Sequence, residues 1–190
     1  MKLLKEKILK GGKVLPGNII KVDSFLNHQI DPALLKEIGK EFCRRFEDRG
    51  VSKVLTVEAS GIPAAVMTGL ELNVPVIFAK KTKSANISDN VFSSVIKSYT
   101  KGNDSTVIVS KEYLTSKDRV LIIDDFLAEG QAVLGLADII RQSGASLVGA
   151  GIVIEKGFQH GGKKLRSHGI HVESLAIINS IEDGKIIFDS

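Results

Sequence analysis

The stretch Val120-Leu-Ile-Ile-Asp-Asp-Phe-Leu-Ala-Glu-Gly-Gln-Ala132 is the most informative part of the chain. Four apolar residues lead into the acidic pair Asp124-Asp125, and an apolar pair then precedes a loop of small residues around Gly130. The pattern predicts a buried strand that ends at the acidic pair, followed by a loop and a helix. Ligands of open α/β sheets bind at the carboxyl ends of strands, and helix N-termini bind anions. We therefore expect a phosphate-containing ligand here.

The acidic pair has three interpretations from its residues alone. The carboxylates of Asp124 and Asp125 suit the 2′ and 3′ hydroxyls of a ribose phosphate whose 5′-phosphate lies in the following loop. Acidic pairs after an apolar strand also bind Mg²⁺ in phosphatases and nucleotide hydrolases. Either residue could instead cap the helix that follows. The residues by themselves leave these alternatives open.

Strands and helices alternate along the rest of the chain. An amphipathic helix is predicted over the first ten residues, and a second helix opens at Asp31-Pro32 and ends at Gly50. The other predicted segments are apolar strands separated by helical or looped stretches: Val54–Val57, helix Gly61–Leu72, Val76–Ala79, Arg119–Ile123, helix within Leu127–Ser143, Ser146–Ile154, helix Lys163–His168, Val172–Ile178 and Lys185–Phe188. Such alternation favours an α/β fold with a mainly parallel sheet.

Residues 80–100 interrupt this rhythm. Lys80, Lys81 and Lys83 form a basic start, and the polar stretch 84–94 is predicted to be irregular. A hairpin is predicted between 96–100 and 106–109. A long polar loop beside a hairpin often closes over a site, so we expect a mobile loop over about 80–100, although a solvated basic loop is the alternative.

Composition limits the classes of function. A length of 190 residues fits one domain, and 43% hydrophobic residues suffice for a core. A net charge of +4 suits an anionic substrate, while 5% aromatic residues without Trp argue against a surface that stacks nucleic-acid bases. Neither a membrane helix nor a signal peptide is predicted. The single cysteine, Cys43, is compatible with a reducing cytoplasm, which we take as the expected location.

The segment from Val120 to Ala132 resembles the phosphoribosyl diphosphate (PRPP) signature of type I phosphoribosyltransferases. Its Gly-Gln-Ala ending, together with Lys21–Pro32 and Ile152–Phe158, is similar to the bacterial members of that family that use xanthine. The resemblance extends over nearly the whole chain. It implies a single type I phosphoribosyltransferase domain over 1–190 with an N-terminal hood over about 1–30. It also implies that xanthine and PRPP react to xanthosine 5′-monophosphate and diphosphate in purine salvage, with Mg²⁺ bound through PRPP and a homodimer.

The resemblance also assigns roles to individual residues. Catalytic roles fall to Asp124 and Asp125 at the ribose and to Lys81 at the leaving group. The 5′-phosphate is expected at Ala128, Glu129, Gly130, Gln131 and Ala132, the diphosphate at Glu58, Ala59, Ser60 and Gly61, and the base at Ile20, Asn27 and Lys156. Two of these have plain structural alternatives, since Ser60 could cap a helix and Lys156 could be a surface lysine.

Two positions depart from the family pattern. Glu129 places a carboxylate where a neutral residue is usual, which leaves the affinity for PRPP open. Ala128 occupies a position where some purine enzymes carry an acidic residue, so no general base is identified.

Two rival functions remain. A PRPP-binding regulator of transcription would need a DNA-binding domain, for which the first thirty residues are too few. An enzyme for adenine fits poorly with a lysine donor at the 6-position, whereas guanine or hypoxanthine stays possible.

Overall fold

The structure is a computed structural model that describes residues 1–82, 89–97 and 104–189. Helix α1 (Lys2–Gly11) buries Leu4 and Ile8, as its amphipathic pattern predicts. Strands β1 (Lys13–Leu15) and β2 (Ile19–Lys21) then form a small antiparallel sheet. One turn of π-helix over Asp23–Asn27 follows.

Helix α2 (Pro32–Phe46) begins as the sequence predicts. The side chain of Asp31 accepts a hydrogen bond of 3.1 Å from the amide of Leu34, and proline occupies the first turn. The helix ends at Phe46, four residues before the predicted stop, because a 3₁₀ turn over Glu47–Arg49 leads to a left-handed Gly50.

The remaining elements are β3 (Lys53–Val57), α3 (Ile62–Leu72), β4 (Val76–Thr82), β5 (Val91–Ile96), β6 (Ser105–Ser110), β7 (Arg119–Leu127), α4 (Gln131–Ser143), β8 (Ser146–Lys156), α5 (Gly161–Ser167), β9 (Val172–Glu182) and β10 (Lys185–Phe188). Eight strands of the described residues form one sheet in the order β10-β9-β8-β7-β3-β4-β6-β5. The strands from β9 to β4 in this order are parallel, and the outer pairings are antiparallel. This confirms an α/β fold with a mainly parallel sheet.

Two local predictions were wrong. Strand β7 does not end at the acidic pair but continues to Leu127, because its pairing with β8 extends to Leu127 and Glu155. Strand β5 starts at Val91, inside the stretch predicted to be irregular. Its serines look like loop residues in the sequence, but helix α4 covers them, and Gln142 donates a hydrogen bond of 2.8 Å to the carbonyl of Ser93.

Both faces of the sheet are covered by hydrophobic clusters. One cluster joins α1, α2 and α3 to the sheet, and the other joins α4 and α5 to the opposite face. No helix of the described residues is long and apolar enough to cross a membrane. The expected mobile loop lies partly outside the described residues, including Lys83, whereas Lys80 and Lys81 belong to β4.

Candidate active site

A cavity of about 580 Å³ lies beyond the carboxyl ends of β7 and β8. Its walls come from the end of β7, the loop into α4, the end of β8 and the β5–β6 hairpin. The lining residues are Val57, Lys81, Ile96, Lys97, Ser105, Asp124, Phe126, Leu127, Ala128, Glu129, Gly130, Gln131, Ala132, Val133, Lys156 and Gln159. The cavity is therefore lined by all five residues of the predicted phosphate loop together with Asp124, Lys81 and Lys156.

Two adjacent buried carboxylates lie on β7; Asp124 lines this cavity, whereas Asp125 is not among the residues that line it. Asp124 is 5% exposed and Asp125 is 8% exposed, and the amide of Asp125 donates a hydrogen bond of 3.0 Å to Asp124 Oδ1. Neither carboxylate forms an ion pair in the part of the chain that the structure describes. Burial, and then the charge of Asp125, raise the pKa of Asp124 well above its usual value, while Lys81 opposes the shift. The pair is thus ready for a ligand that brings hydroxyl donors or positive charge.

The loop between β7 and α4 is shaped to receive an anion. Gly130 adopts a left-handed conformation with φ of 77°, and α4 begins at the next residue. The first amides of a helix have no partner within that helix, and the residues at the start of α4 line the cavity. The amide of Gly161 donates a hydrogen bond of 3.0 Å to the carbonyl of Ala128, which supports the loop from behind. A Cβ at Gly161 would overlap that carbonyl, so only glycine permits this contact.

Glu129 does not turn fully to solvent. It is half-buried and lines the cavity, and no hydrogen bond or ion pair of its carboxylate is found among the described residues. A negative charge therefore lies beside the predicted phosphate position.

The loop from Glu58 to Gly61 is held against the acidic pair. Glu58 donates a backbone hydrogen bond of 3.1 Å to Ala79, and its side chain accepts one of 2.6 Å from the amide of Lys81. A Cβ at Gly61 would lie 3.2 Å from Asp124 Oδ1, so the start of α3 and the acidic pair are neighbours. Gly61, not Ser60, is the N-terminal cap of α3, and no side chain caps it. The alternative role of Ser60 as a helix cap is therefore wrong.

Lys156 ends strand β8 inside the cavity and is only partly exposed. Its ammonium nitrogen lies 5.7 Å from the centre of the Phe126 ring. Burial lowers the pKa of Lys156. A desolvated ammonium beside an aromatic ring is a strong donor to a carbonyl oxygen, which argues against a plain surface lysine.

The structure does not bring the two predicted base residues of the N-terminal segment to this cavity. Ile20 is buried in β2 within a hydrophobic cluster, and Asn27 is exposed at the end of the π-helical turn. Neither lines the cavity. Their contact with a base stays a prediction.

Half of the lining residues were not among the predicted site residues. The polar or aromatic ones include Lys97, which directly follows β5, Phe126 on β7 and Gln159 in the turn after β8. The Oε1 atom of Gln159 is buried and has no hydrogen-bond partner among the described residues. The signal available in the sequence was a polar residue three positions after Lys156, at the carboxyl end of a buried strand.

An ion pair between the buried Glu155 and the partly exposed Arg166 closes the connection between β8 and α5. Arg166 donates two hydrogen bonds, of 2.8 and 2.9 Å, to the carboxylate of Glu155, and Ser174 donates a third. Burial alone raises the pKa of Glu155, but these hydrogen bonds outweigh it and hold the pKa below its usual value. The segment 156–161 between the two partners carries Lys156, Gln159 and Gly161, so the pair fixes the cavity wall.

Comparison with known proteins agrees with this architecture. The sequence model of the phosphoribosyl transferase domain matches residues 26–180. The chain is 56% identical over 188 residues to the xanthine phosphoribosyltransferase of Oceanobacillus iheyensis, covering 99% of this chain and 97% of that one. It is also 56% identical to the xanthine phosphoribosyltransferase of Bacillus mycoides, covering 99% and 95%.

Solved structures of lower identity share the fold. The adenine phosphoribosyltransferase of Rhodothermus marinus superposes with a TM-score of 0.75 at 19% identity, covering 94% of this chain and 100% of that one. The Trypanosoma brucei adenine phosphoribosyltransferase, in complex with AMP, pyrophosphate and ribose-5-phosphate, gives 0.74 at 21%, covering 92% and 78%. The chain therefore belongs to the phosphoribosyltransferase family.

Proposed function

We propose that this protein transfers the phosphoribosyl group of PRPP to xanthine, which yields xanthosine 5′-monophosphate and diphosphate. The observation that carries the proposal is the buried, uncompensated pair Asp124-Asp125 directly before the glycine loop of α4. The names of relatives that are 56% identical over nearly the full chain support xanthine as the base.

The ribose phosphate would lie across the floor of the cavity. Asp124 and Asp125 would accept hydrogen bonds from the ribose hydroxyls, and the backbone amides at Gly130, Gln131 and Ala132 would hold the 5′-phosphate. Loss of diphosphate gives the sugar oxocarbenium character, as in glycoside hydrolysis. Carboxylates fixed beneath the sugar would stabilise that positive charge without having to reorganise.

The diphosphate would lie between the loop Glu58–Gly61 and Lys81. The hydrogen bond from the amide of Lys81 to Glu58 couples these two elements, so one unit would contact the departing group. No group of three or more His, Cys, Asp or Glu side chains in the described residues is arranged to hold a metal ion. Mg²⁺ would instead be bound through the phosphates of PRPP and water, beside the loop Glu58–Gly61, where it would neutralise charge on the leaving group.

Lys156 would donate a hydrogen bond to the 6-oxygen of the base. Such a donor matches xanthine, guanine and hypoxanthine and mismatches the amino group of adenine. Ala128 leaves no acid at the position where some purine enzymes carry one. Because xanthine itself ionises near neutral pH, we propose that its anion attacks. The pH–rate profile should then follow the ionisation of xanthine, and a profile that follows an enzyme group instead would contradict this.

We further propose a cytoplasmic homodimer, without partners among nucleic acids or membranes. Sizing by light scattering should give twice the mass of 20.5 kDa. A monomer that retains full activity would contradict the dimer but not the reaction.

The test of the function is an assay with Mg²⁺, PRPP and each purine base in turn, read out as nucleotide formed. We expect xanthine to give the highest kcat/KM and adenine to give none. Turnover of guanine or hypoxanthine above xanthine would overturn only the choice of base. A lack of turnover with every base would overturn the enzyme assignment.

A further inference from the structure

Two polar residues at the end of strand β8 and in the turn that follows it line the cavity. Gln159 and Lys156 both line it, and the backbone N–H of Gln159 donates a hydrogen bond of 2.9 Å to the backbone carbonyl of Lys156. The turn is fixed from outside, because Gly157 donates a hydrogen bond of 2.8 Å to Ile178. The ion pair of Glu155 and Arg166 closes the same segment. The two side chains are therefore presented together on a rigid support.

Gln159 has an unused hydrogen-bonding group at this position. Its Oε1 atom is buried and has no partner in the described part of the chain, and no hydrogen bond from its side-chain nitrogen is found there either. A buried acceptor without a partner destabilises a protein, and such groups in native structures are commonly satisfied by a ligand or water. A ligand group that pairs with Gln159 Oε1 must therefore be a hydrogen-bond donor.

The identity of that donor follows from the chemistry of the substrates. Ionised phosphate groups offer acceptors only, so they cannot complete Oε1. The ribose hydroxyls can donate, but two carboxylates already face them. A 6-oxopurine carries an N1–H donor directly beside its 6-oxygen, which is the atom assigned to Lys156. The amide oxygen of Gln159 and the ammonium of Lys156, two residues that line the same cavity, thus suit the N1–H and the 6-oxygen of such a base.

We propose that Gln159 is a second base-recognition residue, whose Oε1 accepts the N1–H of the purine while Lys156 donates to the adjacent 6-oxygen. This inference rests on the proposed function and adds a determinant of its specificity. Adenine presents an N1 acceptor and a 6-amino donor, so it opposes both groups at once. Rejection of adenine would then come from two mismatched contacts, each of which leaves a buried polar group unpaired.

The test combines one variant with one substrate analogue. Gln159→Leu removes the acceptor and keeps the volume, and 1-methylxanthine removes the matching N1–H donor. We expect Gln159→Leu to raise the KM for xanthine about tenfold or more, with the KM for PRPP unchanged. Wild type should prefer xanthine to 1-methylxanthine. This preference should disappear in Gln159→Leu, because a variant that lacks the N1 contact cannot lose it again when the substrate is methylated.

Gln142→Leu is the matched control, because Gln142 is an exposed glutamine on α4 that does not line the cavity. It should leave both KM values unchanged. If Gln159→Leu does not fold, the same comparison of xanthine with 1-methylxanthine is made with Gln159→Asn. This variant shortens the side chain by one methylene group and so withdraws the amide from the base.

Three results would overturn the inference in distinguishable ways. An unchanged preference between xanthine and 1-methylxanthine in the variant would exclude the N1 contact. A rise in the KM for PRPP alone would assign Gln159 to the ribose. A wild-type protein that converts no purine base would overturn the proposed function, and this inference with it.

Discussion

Two buried acidic sites lie on neighbouring strands at the same edge of the sheet, and they differ in how their charge is compensated. Glu155 on β8 is 4% exposed and receives hydrogen bonds from Arg166 and Ser174. Asp124 and Asp125 on β7 are nearly as buried, yet neither forms an ion pair within the described residues. The pKa of Glu155 is held below its usual value, whereas that of Asp124 is raised well above it.

The contrast separates structural from functional use of a buried carboxylate. A paired charge stabilises the fold once its partner is in place, and removal of that partner leaves a costly uncompensated charge. A like-charged pair without a partner destabilises the free protein and is retained where a ligand completes it. Substitution of the acidic pair should therefore lower activity without lowering stability, whereas substitution of Glu155 should lower stability.

The largest expected effect comes from neutralising the acidic pair. The double variant Asp124→Asn with Asp125→Asn should lower kcat/KM for PRPP by about two orders of magnitude or more, because the amides lose the charge that stabilises the developing oxocarbenium ion. The measurement is initial-rate kinetics with xanthine held saturating. Asp138→Asn on the outer part of α4 is the control and should retain activity. Near wild-type turnover in the double variant would remove the ribose assignment.

The second effect concerns stability. Glu155→Gln should lower the free energy of unfolding by about 2 kcal/mol, less than at a fully buried pair because the Arg166 side chain is 42% exposed. Asp124→Asn should leave the free energy of unfolding unchanged or raise it, since it relieves repulsion from Asp125. Urea unfolding of both variants without substrate tests the contrast. Equal destabilisation by the two substitutions would break it.

A third test uses pH, where the two sites have opposite signs. Asp124 has a raised pKa in the folded state, so its contribution to stability is present below its ordinary value of 3.8 and is lost as pH rises through the folded value. Glu155 has a lowered pKa, so its contribution is present above 4.5 and is lost as pH falls through the folded value.

Asp124→Asn should therefore reduce the loss of stability that accompanies a rise in pH. Glu155→Gln should reduce the loss of stability that accompanies a fall in pH. Thermal unfolding as a function of pH measures both. A wild-type decline on the alkaline side that persists in Asp124→Asn would contradict the sign assigned to Asp124.

The smallest effect is expected at the third carboxylate of the cavity. Glu129 is half-buried without a partner in the described residues, so it is intermediate between the two sites. Glu129→Gln should lower the KM for PRPP about threefold by removing repulsion from phosphate, and the gain should shrink at high salt. Glu112→Gln, at an exposed position away from the cavity, is the control. A higher KM for PRPP in Glu129→Gln would mean that the carboxylate assists binding.

Most helices and strands follow from local signals in the sequence. The apolar face of α2, its cap at Asp31 and the short apolar strands β3 and β4 were all predicted within a few residues. The errors fall where a tertiary contact outweighs a local signal. Pairing with β8 extends β7 past its acidic residues, and helix α4 covers the serines of β5.

The sequence by itself determined the α/β class, the apolar strand with its acidic pair and the glycine loop that follows, and the family, because these depend on periodicity and on contiguous residues. Only the tertiary structure decided which carboxylates are compensated. Arg166 reaches Glu155 across 11 residues, and Ser174 reaches it from the next strand. Likewise, only the tertiary structure shows that Gln159 Oε1 is buried without a hydrogen-bond partner among the described residues. Compensation of a buried charge depends on distances between side chains that the chain brings together only on folding, so no local pattern encodes it.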